Sequence, residues 1–213
     1  MTPPRTAPSD TVFAIIPVKP LEEGKSRLES LLGFAQRQKL NAFLMQQTFA
    51  KAEAFPGPAR TIVVSASADV LASATALGFV PVREKAEGLN EALAEATQQA
   101  MLLGATGAFI LPVDLPMVRS EDLKAAIIGV GRNACALAPD RHRSGTNWLY
   151  VSPLRPELYR FGPNSFQNHL RQAELCGLDL KIVDNDRFAF DIDRPEDYQH
   201  WKSLGAEGFY DGH

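Results

Sequence analysis

The sequence is poor in cysteine and has no long hydrophobic run. Only two of its 213 residues are cysteine, Cys135 and Cys176, and their separation matches no metal-binding spacing. We interpret them as buried or incidental thiols in a reducing compartment. No stretch of about 18 apolar residues is present, and residues 1–10 lack the apolar segment of a signal peptide. We therefore expect a cytoplasmic protein that is neither secreted nor inserted in a membrane.

A strong charge of either sign is also missing. The formal net charge is −3 at pH 7, so the chain has no basic field that would attract nucleic acid. Its four histidines are scattered, which argues against a zinc cluster. We expect them mostly on the surface; they are His142, His169, His200 and His213. Local groups of lysine and arginine can still hold a small anion.

Two common glycine patterns for phosphate binding are absent from the first turn. Gly24-Lys25-Ser26 resembles the end of a Walker A sequence, but Lys19 stands where that motif requires its first glycine. The turn does not match Gly-x-Gly-x-x-Gly either. These departures disfavour a P-loop kinase and a dinucleotide dehydrogenase.

The sequence does contain a regular alternation of short apolar runs with segments of helical periodicity. The apolar runs predict strands over 12–18, 61–65, 79–82, 109–113, 134–138, 147–151 and 180–183. Helices are predicted over 34–54, 69–77, 89–103 and 120–128, with a last helix from Pro195. Ser120-Glu121-Asp122 is the predicted cap of the fourth helix. The connection around 161–165 is rich in proline and glycine.

This alternation predicts the α/β fold class, with a Rossmann-like mixed, mostly parallel sheet and helices on both faces. We expect the residues after about 140 to add antiparallel strands and to cover the mouth of the site. No internal repeat, low-complexity tract or linker divides the chain. The predicted organisation is a flexible N-terminus over 1–10, a single domain over 11–207 and a tail over 208–213.

A basic turn follows the first predicted strand. It carries Lys19, Lys25 and Arg27, with Gly24 among them. A turn of this kind at the end of a strand presents backbone N–H groups and cationic heads to a polyphosphate. A solvated surface loop is the alternative, but the preceding strand and the grouping of three cations favour phosphate binding.

Carboxylates follow two later segments. Asp114 comes after the strand predicted at 109–113, while Asp191 and Asp193 alternate along the chain, so an extended backbone puts both on one face. A few carboxylate oxygens beside substrate phosphates suit Mg²⁺. The alternatives are a helix N-cap for Asp114 and an Asx turn for Asp193.

Two polar loops complete the candidate site. Residues 139–147 and 161–166 combine glycine with hydroxyl and amide side chains. Such loops can wrap a small anion, although ordinary turn chemistry explains the pattern equally well. Ligands of open parallel sheets bind beyond the carboxyl ends of the strands. Because Lys19, Asp114 and Asp140 all follow such ends, we expect them to converge at one edge.

In these segments the sequence resembles the phosphoenolpyruvate/2-phospho-L-lactate guanylyltransferases of coenzyme F-420 biosynthesis, a family of the nucleotidyltransferase superfamily. The matching stretches are Ile16-Pro17-Val18-Lys19, Gly24-Lys25-Ser26-Arg27-Leu28, Gly88-Leu89-Asn90-Glu91-Ala92-Leu93, Asp114-Leu115-Pro116, Pro139-Asp140, Gly145-Thr146-Asn147, Phe161-Gly162-Pro163-Asn164-Ser165-Phe166 and Asp191-Ile192-Asp193-Arg194-Pro195-Glu196-Asp197. They span about residues 12–200. The ordered combination is specific, and it implies a fold like that of the nucleotide-diphospho-sugar transferases.

The resemblance also implies a role for individual residues. It assigns the GTP triphosphate to Lys19, Lys25 and Arg27, the nucleoside to Gly88 and Asn90, Mg²⁺ to Asp114 and Asp193, and a phosphorylated carboxylic acid to Thr146, Gly162 and Ser165. Lys25, Arg27 and Asp114 would be the catalytic residues. Trp148 and the basic run Arg141-His142-Arg143 depart from the family pattern beside the implied acceptor pocket. Phosphoenolpyruvate, 2-phospho-L-lactate and 3-phosphoglycerate therefore stay open as acceptors.

The implied reaction moves GMP from GTP onto the acceptor phosphate and releases pyrophosphate. The nucleophile is already an oxyanion, because a phosphate monoester has a second pKa of about 6, so no general base is needed. Two unit charges 4 Å apart repel by about 4 kcal/mol at an effective dielectric constant of 20. Catalysis should therefore come mostly from positioning and from charge neutralisation by Mg²⁺ and the basic turn.

Other functions fit parts of the pattern. A molybdopterin or sugar-phosphate nucleotidyltransferase would use the same metal site with another acceptor. A glycosyltransferase would use Asp191-Ile192-Asp193 as its metal motif, but that motif normally ends a strand in the middle of the chain. A nucleotide-binding regulator without turnover is the alternative from another class. A homodimer is the default expectation for the assembly.

Overall fold

One mixed sheet of seven strands organises the computed structural model, which describes residues 11–205 and Phe209. The strands are β1 (Val12–Pro17), β2 (Thr61–Ser65), β3 (Val80–Arg83), β4 (Gly107–Ile110), β5 (Ala134–Pro139), β6 (Thr146–Ser152) and β7 (Asp179–Ile182). Their order is β3-β2-β1-β4-β6-β5-β7. Strand β6 runs antiparallel to β4 and β5, and every other neighbouring pair is parallel. The predicted mixed, mostly parallel sheet is confirmed.

The helices lie mostly in the connections between strands. They are α1 (Phe34–Ala54), α2 (Ala68–Ala76), α3 (Leu89–Leu102), α4 (Ser120–Ile127), α5 (Ser165–Leu175), α6 (Asp186–Ala189) and α7 (Pro195–Ser203). Short 3₁₀ turns occur at Ser26–Leu28, Pro58–Arg60 and Pro156–Leu158. Within residues 11–205, no helix is both long and apolar enough to cross a membrane.

Both faces of the sheet are packed, because β1 is buried on both sides. Ala14 and Ile16 belong to a core cluster that includes Phe49 of α1, whereas Phe13 and Ile15 belong to a second cluster that includes Leu93 of α3. Alternate residues of a strand point to opposite faces, so this division puts helices on both sides of the sheet. The predicted layer arrangement is confirmed.

A third, smaller core cluster lies under the candidate site. Leu28 of the basic turn and Ile192 of the carboxylate segment are both fully buried in it, together with Leu40 of α1 and Trp201 of α7. The two segments are far apart in sequence but share one apolar anchor. Burying a large aliphatic side chain contributes roughly 1.5–3 kcal/mol, so this cluster holds the two segments against each other.

Several local predictions differ from the structure. The fourth strand ends at Ile110 instead of residue 113, and Pro112 follows, which cannot donate to a sheet ladder. Helix α5 was not predicted, because its buried stripe contains a serine and a histidine among apolar residues. The four-residue helix α6 is too short to give a periodic signal. The N-cap residue of α4 is Arg119, which precedes the predicted capping segment, and Asp122 of that segment accepts the Arg119 N–H at 2.9 Å.

The predicted surface position of the histidines is wrong for His169, which is fully buried. Of the predicted tail over 208–213, the structure describes Phe209 alone, and its ring packs against Phe43 and Trp201 at centroid distances of 5.2 and 5.6 Å. The predicted flexible N-terminus over 1–10 lies outside the described residues. Both cysteines are free thiols, and Cys135 is buried.

Candidate active site

The basic turn after β1 is shaped by one close contact with α1. Asn41 of α1 donates its side-chain amide to the Leu21 carbonyl at 2.6 Å. A Cβ on Gly24 would lie 2.5 Å from the Asn41 amide nitrogen, so this position requires glycine or a shift of Asn41. The next residue, Lys25, has a left-handed backbone with φ of 59°. A non-glycine residue pays about 1–2 kcal/mol for that conformation, and such strain is typical of functional positions.

Lys25 connects the basic turn to the first carboxylate. Its Nζ donates to Asp114 Oδ2 at 3.1 Å and also to the Ile192 carbonyl. The Lys25 side chain is only 9% exposed and that of Asp114 is 33% exposed. The backbone N–H of Ile192 donates in turn to the Asp114 carbonyl at 3.0 Å. Three segments distant in sequence thus meet at one ammonium group.

Arg27 makes the second contact between the turn and the carboxylates. Its guanidinium pairs with the Asp193 carboxylate. Both side chains are substantially exposed, 68% for Arg27 and 39% for Asp193. An exposed pair of this kind contributes at most about 1 kcal/mol to stability. The main effect of this pair is therefore to place the two charged groups beside each other, and its effect on the stability of the fold is small.

Asp191 lies close to these groups; its alternation with Asp193 predicts a shared face, but the sequence leaves open whether it also contacts a metal. Asn147 on β6 donates to its Oδ1 at 3.2 Å and to the Phe188 carbonyl at 2.9 Å. Burial, followed by the negative charge of Asp114, raises the pKa of Asp191 to about 6; Asp193 adds a smaller rise, and Asn147 and Lys25 oppose it. Asp114 and Asp193 therefore lie close enough to Asp191 to disfavour its charged form.

The donor set fits a hard cation. Carboxylate oxygens that repel one another are what Mg²⁺ neutralises, and this ion is usually held by one or two carboxylates together with substrate phosphates. Among residues 11–205 and Phe209, no group of three or more His, Cys, Asp or Glu side chains is arranged to hold a metal ion. The arrangement therefore suits an ion shared with a phosphorylated substrate.

A buried lysine supports the Asp114 loop from behind. Lys51 of α1 donates its Nζ to the Leu115 carbonyl at 2.7 Å and is only 8% exposed. Burial lowers its pKa to about 8, and the nearby charge of Asp114 opposes this shift. The helical pattern of α1 predicts a buried face but gives no sign that a lysine on it bonds the loop after Asp114.

Asp140 organises its own loop. Its carboxylate accepts the backbone N–H groups of His142, Ser144 and Gly145 at 3.1, 2.8 and 2.9 Å, and the Ser144 hydroxyl at 3.0 Å. This Asx-type network fixes the turn between β5 and β6. The expected convergence of Asp140 with Lys19 and Asp114 at one sheet edge stays a prediction, and the hydrogen bonds of the Asp140 carboxylate stabilise the polar loop.

The hydroxyl groups of Thr146 and Ser165 are engaged inside the protein. Ser165 Oγ accepts the Thr146 N–H, and Thr146 Oγ1 bonds His169 Nδ1, both at 2.9 Å. His169 Nε2 accepts the Arg160 N–H at 2.9 Å. Because Nε2 is an acceptor, the proton of the neutral ring is on Nδ1. These bonds join the loops that sequence reasoning assigned to the acceptor.

Asn90 likewise holds a loop. Its side chain donates to the Phe161 carbonyl at 3.0 Å and accepts the Phe161 N–H at 2.8 Å, so it forms a two-way clamp on the backbone. Gly88, which caps the same helix α3, has φ of 119°, and a Cβ there would lie 2.3 Å from a Glu91 carboxylate oxygen. Gly162 has φ of 128° and open space around it.

Lys19 lies exposed after β1, and the structure gives it one electrostatic neighbour of interest. Partial burial and the charge of Glu95 raise the pKa of Glu84, and the charge of Lys19 opposes that rise. The proposed nucleotide side of the cleft thus contains carboxylates as well as a cation. The role of Lys19 in GTP binding stays a prediction, as do those of Gly88 and Asn90.

Comparison with known proteins identifies the family of this chain. Residues 12–205 match the family described as guanylyl transferase, CofC like. This chain belongs to the CofC-like guanylyl transferases. It is 36% identical to phosphoenolpyruvate guanylyltransferase of Rubrobacter xylanophilus, over 92% of this chain and 96% of that protein. It is 33% identical to the protein of the same name from Sphaerobacter thermophilus, over 89% and 91% of the two chains.

A solved structure gives independent support for the fold. The chain superposes on a nucleotide-diphospho-sugar transferase from Desulfovibrio desulfuricans with a TM-score of 0.71 and 16% identity, covering 93% of this chain and 89% of that one. The expected resemblance to the guanylyltransferase family and to that fold is therefore confirmed. In this CofC-like protein, the family's basic turn and its carboxylates are in direct contact.

The buried His169 makes the stability of this protein depend on pH. Burial, with a smaller contribution from the charge of Arg160, lowers its pKa to about 4 from an ordinary value of 6.5. Between these values the unfolded chain takes up a proton that the folded chain does not. We therefore expect the contribution of His169 to the free energy of unfolding to be fully present above pH 6.5 and to fall by about 3 kcal/mol toward pH 4, at roughly 1.4 kcal/mol per pKa unit.

Urea unfolding from pH 7 to pH 4 measures this loss. The His169→Gln variant should be less stable at pH 7, and its stability should fall with pH less steeply than that of the unsubstituted protein. His142→Gln is the matched control, because that side chain is exposed in the polar loop. Equal slopes for His169→Gln and the unsubstituted protein would contradict the assignment.

Proposed function

We propose that this protein transfers GMP from GTP to the phosphate of a small phosphorylated carboxylic acid, and that phosphoenolpyruvate is the acceptor. The observation that carries the proposal is the contact of Lys25 with Asp114 and Ile192, found in a chain of a guanylyl transferase family. This contact brings the basic turn and the carboxylates to one edge of the sheet. Such an edge can accept two anionic reactants.

The proposed chemistry is a single in-line displacement. An oxygen of the acceptor phosphate forms a bond to the α-phosphorus of GTP, while the bond from that phosphorus to the α–β bridging oxygen breaks. The electron pair leaves with pyrophosphate, and GMP becomes joined to the acceptor through a new phosphoanhydride. The nucleophile brings its own negative charge, so the protein has to orient the two phosphates and offset their repulsion.

The basic turn supplies the cations in this proposal. Lys25, Arg27 and Lys19 bind the triphosphate, and Lys25 is the most deeply placed of them because its side chain is 9% exposed. Low exposure strengthens its interaction with a phosphate relative to a solvated lysine. Lys51 holds the Leu115 carbonyl behind the site and keeps Asp114 in place.

Asp114 and Asp193 are the proposed ligands of Mg²⁺, with Asp191 beside them. The bound ion would polarise the transferred phosphoryl group and neutralise developing negative charge. Burial and the charges of Asp114 and Asp193 raise the pKa of Asp191, so a divalent cation would offset a repulsion that is already present in the site.

The acceptor side of the cleft is proposed to be formed by the polar loops. Gly162 has a positive φ of 128° and open space around it, so an acceptor can approach the backbone of this loop closely. The Thr146 and Ser165 hydroxyls hold these loops together, so their contribution to acceptor binding runs through loop position. Phosphoenolpyruvate is preferred over 2-phospho-L-lactate and 3-phosphoglycerate because curated relatives at 36% and 33% identity carry its name.

Pyrophosphate release tests the proposal directly. The purified protein is incubated with GTP, Mg²⁺ and one of the three acids, and pyrophosphate and the guanylylated product are measured. We expect release that requires all three components, is abolished by EDTA and restored by Mg²⁺, and is fastest with phosphoenolpyruvate. If 2-phospho-L-lactate were the only one of the three acids to support pyrophosphate release, the proposed acceptor would be wrong. A GTP-induced rise in melting temperature without pyrophosphate release would indicate a nucleotide-binding regulator.

Two substitutions test the central contact. Lys25→Met and Asp114→Asn should each lower kcat/KM by about 10²–10³-fold, the usual loss when one preorganised charge at a reacting group is removed. The exposed Lys39 of α1 provides the matched control Lys39→Met. Melting temperatures separate lost catalysis from lost folding. If either variant keeps the rate of the control, that residue has no part in the mechanism.

A further inference from the structure

The carboxylate segment is fixed by an ion pair that the proposed mechanism does not use. Arg141, on the loop after β5, donates its Nη2 to Asp197 Oδ1 at 2.7 Å. Asp197 lies in the first turn of α7, and its side chain is 10% exposed. The Arg141 guanidinium also lies 5.2 Å from the centroid of the Phe190 ring. A charge-assisted bond of this length to a buried carboxylate is among the stronger hydrogen bonds in proteins.

The other oxygen of Asp197 acts on Asp193 itself. Asp197 Oδ2 accepts the backbone N–H of Asp193 at 3.0 Å and that of Arg194 at 2.8 Å. The position of the Asp193 backbone therefore depends on the Asp197 side chain, and the Asp197 side chain is held by Arg141. Asp193 is the carboxylate that pairs with Arg27 of the basic turn.

Arg141 is itself rigidly placed. Its backbone N–H donates to the Ala189 carbonyl at 3.1 Å, and its guanidinium reaches the Asp191 carbonyl at 3.4 Å. The preceding residue, Asp140, anchors the polar loop through its own hydrogen bonds. Arg141 thus joins the loop on the acceptor side to the segment that carries the carboxylates.

We propose that Arg141 and Asp197 are positioning residues, which set the Asp193 carboxylate for its divalent cation and link it to the acceptor loop. The proposal rests on the proposed function, because it deepens the role of the same site. Neither residue needs to touch a substrate. Partners that orient a metal-binding side chain typically change metal affinity or activity by 10–100-fold when they are removed.

The chain contains a matched control for this pair. Arg187 donates to Asp122 Oδ1, also at 2.7 Å, and Asp122 Oδ2 accepts the Arg119 N–H at the start of α4. The side-chain exposures are 43% and 10%, against 38% and 10% for Arg141 and Asp197. Both pairs join an arginine to the capping aspartate of a helix. Only Asp197 bonds the backbone of a proposed metal ligand.

Binding of Mn²⁺ to the GTP-loaded protein, measured by electron paramagnetic resonance, tests the proposal without turnover. Arg141→Met should raise the dissociation constant of Mn²⁺ about 10–100-fold, whereas Arg187→Met should change it by less than about twofold. The two variants should lose similar thermal stability, because they break equivalent ion pairs. Equal Mn²⁺ affinities for the two variants would overturn the proposal.

A double-mutant cycle shows whether the pair acts through Asp193. In the Asp193→Asn background, Arg141→Met should weaken Mn²⁺ binding by less than about twofold, since the group that it positions is gone. The same fold-loss in both backgrounds would mean that Arg141 acts elsewhere, and it would overturn the proposal. If Arg141→Met does not fold, Arg141→Lys keeps the charge without the planar fork and should weaken Mn²⁺ binding less than Asp193→Asn does.

These measurements separate the two proposals. An unsubstituted protein that binds Mn²⁺ with GTP but releases no pyrophosphate would refute the proposed function and leave the positioning role supported by the cycle. An unsubstituted protein that binds no Mn²⁺ would refute the positioning role, whatever its activity. In the pyrophosphate assay, Arg141→Met should lower kcat/KM about 10–100-fold, while Arg187→Met should stay near the unsubstituted rate.

Discussion

The rest of the site depends on the hydrogen bonds that the Lys25 ammonium group donates. It joins the Asp114 carboxylate to the Ile192 carbonyl, and it does so from a left-handed backbone position that most residues avoid. Burial and, after it, the negative charge of Asp114 raise the pKa of Asp191, because carboxylates brought to one edge of a sheet lose water and repel each other. The cations of the basic turn offset this repulsion only if the turn lies beside the carboxylates. The buried cluster around Leu28 and Ile192 holds it in that position.

A layer of buried or half-buried polar groups supports this contact without taking part in it. Lys51 holds the loop that follows Asp114, Asp197 holds the backbone of Asp193, and His169 ties the polar loops to each other. Each uses a hydrogen bond to the backbone or to a hydroxyl in a region of low exposure, where such bonds are strong and their loss is costly. Precise placement of a few charges therefore depends on residues that the reaction never touches.

Several residues of the family pattern form hydrogen bonds within the protein, which the pattern alone does not reveal. Asn90 clamps the Phe161 backbone, and the Thr146 and Ser165 hydroxyls bond inside the protein. Arg141 is part of the basic run that departs from the family pattern. It pairs with Asp197 and so contacts the segment that carries Asp191 and Asp193. A motif records that a residue type is needed at a position. The partner atom decides whether it binds a ligand or holds the chain that does.

The sequence by itself determined the alternation of strands and helices, the mixed sheet, the family and the three segments that meet at the site. Apolar periodicity and local turn chemistry carry this information within a few neighbouring residues. Only the tertiary structure decided which charges pair, that His169 is buried and that Lys51 and Asp197 support Asp114 and Asp193. Those outcomes depend on contacts between residues such as Arg141 and Asp197, which are distant along the chain, and no local pattern encodes the distance between their atoms.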